Sequence, residues 1–83
     1  MDFGSYLKDL RVSQCLTQKI LAKEFEIAWQ SISYYENNVR LPSLNVCKKY
    51  SDYFKVPPER IMHLRNEAKN HIRQRNILKR KAN

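Results

Sequence analysis

The side chains able to do covalent or metal chemistry are few and scattered. Cys15 and Cys47 stand alone, neither with another Cys or a His within four positions, and His63 and His71 lie eight apart outside any metal-binding pattern. The single glycine, Gly4, rules out a glycine-rich phosphate loop. Asp2, Asp9 and Asp52 show no paired acid role, and no Ser-His-Asp grouping can be assembled around them. Neither an enzyme, nor a metal, nor a cofactor is expected. What remains is a polar and aromatic set, Trp29, Gln30, Ser33 and Tyr34, within the eight positions Trp29 to Glu36. These residues offer an amide, hydroxyls, an indole N–H and two aromatic rings with no formal charge, an inventory suited to the edges of flat heterocycles.

Helical spacing supplies the elements that must position this set. Phe3, Tyr6, Leu7 and Leu10 recur on one face of a first helix. Thr17 can cap a second, short helix with Leu21, Ala22 and Phe25 inward. Only Glu26, Ile27 and Ala28 then precede the stretch Trp29–Glu36, whose inward stripe is Ile32 and Tyr35 with help from Ile27. Asn37 and Asn38 end it, because Asn tolerates the left-handed conformation. Ser43 is expected to cap a fourth helix with Leu44, Cys47, Tyr50, Ser51 and Phe54 facing the core. Pro57-Pro58-Glu59 opens a fifth, with Ile61 and Leu64 inward, and this helix can run well past Ala68. Strand alternation and hairpin turns are missing, so the expected fold class is all-α.

Eighty-three residues allow one small domain, and 42% hydrophobic with 29% charged residues is ordinary globular usage rather than that of a disordered chain. The net charge of +8 points to polyanionic partners, nucleic acid before anionic membrane. The excess is uneven: residues 1–64 hold nine Lys/Arg against seven Asp/Glu, while residues 65–83 hold seven against one. No run approaches the roughly 18 apolar residues of a membrane span, and Met1-Asp2-Phe3 does not begin a signal peptide, so a reduced, cytoplasmic protein with no membrane partner is expected. For the basic C-terminal segment three readings stay open. It is a dimerising or core-docking helix on Ile61, Leu64, Ala68, Ile72 and either Arg75 or Leu78, an arm reaching phosphates, or a solvated tail. Two short helices joined by three residues in a basic all-α chain have the geometry of a helix-turn-helix.

The run from Leu16-Thr17-Gln18 through Leu21-Ala22 to Ser31-Ile32-Ser33-Tyr34-Tyr35-Glu36, followed by Pro42-Ser43-Leu44 and Val56, resembles the phage repressor and Cro family, also called the xenobiotic-response-element family. The resemblance covers roughly residues 3 to 64. It implies a compact five-helix, lambda-repressor-like DNA-binding domain over 1–64 with a basic C-terminal helix or tail over 65–83. By the same resemblance Trp29, Gln30, Ser33 and Tyr34 would lie in the major groove. Gln30 is the best single candidate for a base contact, through bidentate pairing with adenine. Gln18, Asn37, Asn38 and Arg40 would touch phosphates, Gln18 also bracing the recognition helix. Arg11 and Glu36 match a structural ion pair. Trp29 could instead pack locally, Tyr34 could be solvated or a dimer contact, and Gln18 could be plainly exposed.

Three departures from the family pattern stand out. Glu26 holds the turn position usually given to Gly, a strained choice if it is left-handed. Ala28 replaces the usual Ser or Thr cap, forfeiting about 1 kcal/mol. Trp29 is bulky and has only a donor. The resemblance implies a sequence-specific regulator of transcription, expected to be a repressor binding double-stranded DNA as a homodimer on an inverted repeat. One module buries only about 600–1,000 Å² and reads too few base pairs to select a site. The alternative is an antitoxin whose repressor-like fold chiefly neutralises a toxin partner and represses its own synthesis secondarily.

Overall fold

Each helix begins where its first backbone donors find acceptors. In the computed structural model, which describes the backbone of residues 2–82 and the side chains of 2–70, Asp2 caps α1 (Phe3–Ser13) by accepting from the Ser5 N–H at 2.7 Å. Thr17 Oγ1 accepts from the Ile20 N–H at 3.1 Å and starts α2 (Gln18–Phe25). Ser43 Oγ does the same for α4 (Leu44–Phe54), accepting from the Val46 N–H at 3.3 Å. Between these, α3 (Trp29–Glu36) starts at Ala28 with no side-chain cap. The last helix, α5 (Pro58–Ala82), has proline at its first position and Glu59 in its first turn, where the helix dipole favours an acid. The described residues contain no strand.

Left-handed residues close the turns. Cys15, Glu26, Asn38 and Lys55 have φ of 57°, 57°, 60° and 54°, and none is glycine. The α1–α2 turn, where Cys15 is exposed, and the α2–α3 turn thus both rest on residues with a Cβ.

Each helix sends one side chain completely out of solvent: Leu7, Leu21, Ile32, Tyr50 and Ile61. Phe3, Ala22, Phe25, Val46, Cys47 and Phe54 fill the space between them, with Tyr6, Leu10, Ile27, Tyr35, Leu64 and Ala68 packed around the outside. Phe25 meets Tyr50 edge-to-face with ring centres 4.9 Å apart, a favoured arrangement of aromatic quadrupoles. Burial pushes the Cys47 thiol up from its ordinary range, so it remains a small apolar filler.

The inward stripe of α4 differs from expectation at one position. Leu44 is 60% exposed, and Val46 takes the buried place in that first turn. Leu44 shares an angular stripe with Ser51, but at the helix start it lines an open groove with Cys47, Lys48, Pro58 and Met62 rather than entering the core.

Three polar ties hold the helices in register. Lys49 Nζ donates to the Phe25 carbonyl at 2.5 Å, placing a cation at the negative end of α2. Ser51 Oγ donates to the Val56 carbonyl at 2.6 Å, and Arg65 Nε to the Pro42 carbonyl at 2.9 Å. The division expected between residues 64 and 65 falls inside α5, whose helix continues from Leu64 into the basic segment. Along its stripe Ile61 is buried while Leu64 and Ala68 are half-buried. The side chains of His71, Ile72, Arg75 and Leu78 lie outside the described residues. His63 is exposed beside Glu67, at 3.2 Å one turn on.

Candidate nucleic-acid interface

The buried edge of α3 determines which edge is free. Ile32 is fully buried and the Glu36 carboxylate almost so, which turns Trp29, Gln30 and Tyr34 outward, with Ser33 half-exposed beside them. The α2–α3 turn sets the angle of this face: Glu26 is left-handed at φ 57°, ψ 42°, and the Ile27 N–H donates back to the Ala22 carbonyl at 3.0 Å.

Beneath the face, one carboxylate joins three helices. Arg11 of α1 donates through Nε to Glu36 Oε2 at 2.7 Å and through Nη2 to Oε1 at 3.0 Å, while its Nη1 donates to the Leu16 carbonyl at 2.6 Å. Gln18 of α2 adds Nε2 to Glu36 Oε1 at 3.1 Å. A two-pronged pair of this kind fixes orientation as well as distance, and the bond to Glu36 raises the Arg11 guanidinium pKa further. Beside this network the Tyr50 hydroxyl is buried without a hydrogen-bond partner among the described residues, and burial pushes its pKa well up.

The exit of α3 is held just as closely. Asn37 Nδ2 donates to the Ser33 carbonyl at 2.8 Å and to Ser33 Oγ at 3.3 Å. Asn38, left-handed, accepts at Oδ1 from the Gly4 N–H at 3.1 Å. A Cβ on Gly4 would press on the Glu36 carbonyl oxygen, 2.8 Å from the carbonyl carbon and 2.9 Å from Asn38 Oδ1. The Ser5 N–H, with help from the Asn38 amide, holds the Asp2 carboxyl below its usual range.

Two cations border the free face. The Lys19 ammonium sits 5.7 Å from the Trp29 ring centre, and the Arg40 guanidinium 5.4 Å from that of Tyr34. So Trp29, Gln30, Ser33 and Tyr34 come together on one surface with Arg40 at its border. Gln18 lies between α2 and α3 with its amide on Glu36, and Asn37 and Asn38 brace the exit turn. Sequence reasoning passes over Lys19 and the role of Gly4. Lys19 lies ten positions from Trp29 and has no local signature. Gly4 had a signal: glycine inside a helix costs about 1 kcal/mol relative to alanine, so it calls for a packing reason.

An uncharged hydrogen-bonding face on a short helix, bordered by cations and pinned from behind by a second helix, defines a helix-turn-helix DNA-binding domain. Residues 7–61 match the family model described as helix-turn-helix, of Cro/CI type. The chain belongs to the phage repressor and Cro family and is a DNA-binding regulator of transcription. No curated protein and no solved structure matches it. Among the described residues no helix is long and apolar enough to cross a membrane.

Proposed function

We propose that the protein represses transcription by binding an inverted-repeat operator as a homodimer, with α3 of each copy in the major groove. The observation that carries this reading is the uncharged outward face of α3, Trp29, Gln30, Ser33 and Tyr34, set between Lys19 and Arg40. Charges at the border suit the phosphates on the groove walls, and neutral donors and acceptors in the middle suit base edges. Arg40 serves as a phosphate contact outright. Gln18 and Asn38 join it through the amide hydrogens that their internal bonds leave over, and Asn37 by turning one amide hydrogen from Ser33 Oγ, the longer of its two bonds, to the phosphate. The dimer follows from the size of the face, since two recognition helices about 34 Å apart read successive major grooves on one side of the duplex.

Selection of binding sites from a random duplex pool at moderate salt tests the proposal. The expected result is an enriched inverted repeat with half-site centres about 10 base pairs apart. Failure to enrich any sequence, with binding that fades as salt rises, would reduce α3 to a scaffold element. On the selected site Gln30→Ala is expected to cost about 1–3 kcal/mol, with little change on random DNA. Equal losses on both would remove Gln30 from base reading.

A further inference from the structure

The outward face of α3 lacks the charged side chains that single out G·C pairs, and its Ser33 hydroxyl suits either kind of pair. In the major groove, guanine O6 and N7 are met by Arg or Lys, and the cytosine amino group by a carboxylate. None of Trp29, Gln30, Ser33 or Tyr34 is of either type, whereas Gln30 carries the amide whose donor and acceptor match adenine N6 and N7. The two rings are prominent on this face, Trp29 being 43% and Tyr34 40% exposed. They are apolar surfaces, and the apolar feature of the major groove is the thymine 5-methyl group.

The rings are also braced. Lys19 reaches Trp29 from α2, and Arg40 reaches Tyr34 from beyond the end of α3. Each cation therefore comes from outside the helix that carries the ring. With the rings turned to the bases these cations would lie toward the backbone, so that phosphate binding and ring orientation would reinforce one another.

From this, and resting on the DNA-binding reading above, we infer that the operator half-site is built of A·T pairs, with Gln30 on adenine and with Trp29 and Tyr34 against thymine 5-methyl groups. Lys19 and Arg40 are positioning residues that hold the two rings in place.

The test compares the selected duplex with the same duplex carrying uracil at single thymine positions, which removes one methyl group and no hydrogen bond. Each contacted thymine is expected to lose about fourfold in affinity on conversion to uracil, the value of one buried methyl. Trp29→Ala and Tyr34→Ala should each bind the thymine and uracil versions equally at one position while remaining sensitive at the other. Lys19→Ala should narrow the thymine-to-uracil ratio at the Trp29 position without lowering Tm, and Lys19→Arg should restore it. A selected half-site dominated by G·C pairs, or a wild-type protein indifferent to the methyl groups, would overturn the inference while leaving operator binding intact. No binding to any duplex would instead overturn the DNA-binding reading, and this inference with it.

Discussion

Gly4 and the Arg11–Glu36 pair make the recognition helix a rigid part of the domain through contacts with its back and its end. At Gly4 the backbone of α1 touches the backbone of α3, and the clash predicted for a Cβ is with main-chain atoms of Glu36, which cannot swing aside as a long side chain would. Gly4→Ala should therefore lower stability by about 1–3 kcal/mol despite the better helix propensity of alanine, as a urea titration would show. A neutral or stabilising result would mean that α1 can slide along α3. Glu36 poses a different problem, because its side chain is 2% exposed and Arg11 supplies its charge partner. Arg11→Met leaves a buried carboxylate with only the Gln18 amide, and a loss of about 3–5 kcal/mol is expected. The double variant Arg11→Met with Glu36→Leu buries no unpaired charge and should be less destabilised than Arg11→Met alone. If the double variant is the weaker of the two, the pair contributes net stability beyond the cost of burying it.

Among the elements, those with local signals are legible in the sequence. Thr17 and Ser43 are visible as caps because an N-cap acts within three residues, and the stripes of α1, α2 and α3 follow the helical period. The periodic signal weakens at a first turn, where burial depends on what lies across from the helix end; this is why Leu44 reads as core and Val46 does not. The contacts of Lys19 with Trp29 and of Gly4 with the α3 exit depend on tertiary packing and leave no spacing to read. The α2–α3 junction lies between these extremes: Glu26 and Ala28 stand out as departures, and in the structure the first is left-handed and the second caps nothing. The junction is thus open to improvement by local chemistry. Ala28→Ser should add a side-chain acceptor for the first turn of α3 and about 1 kcal/mol of stability. In a domain of this size that corresponds to a rise in Tm of about 4–8 °C in a thermal melt. An unchanged Tm would show that water already satisfies those N–H groups as well as a serine could.

Across the whole molecule, charge is distributed unevenly between two regions. Residues 1–64 carry a near balance of charge and the uncharged outward face of α3, while residues 65–83 carry seven Lys/Arg against one acid. Since phosphate contacts carry affinity without sequence information, a basic segment continuous with α5 suits general attraction to the duplex, and α3 suits the choice of site. Truncation after Asn70 separates the two contributions, because it removes five Lys/Arg and no acid while keeping every buried side chain among the described residues. The truncated protein should lose affinity equally on the selected operator and on random DNA, so its selectivity ratio stays where it was. Its plot of log K against log salt should also flatten, by about 0.9 for each phosphate no longer neutralised. A slope that does not change, together with elution as a smaller species in gel filtration, would assign the segment to holding two copies together. The shared loss of affinity would then appear only below the concentration at which the truncated chain itself dimerises.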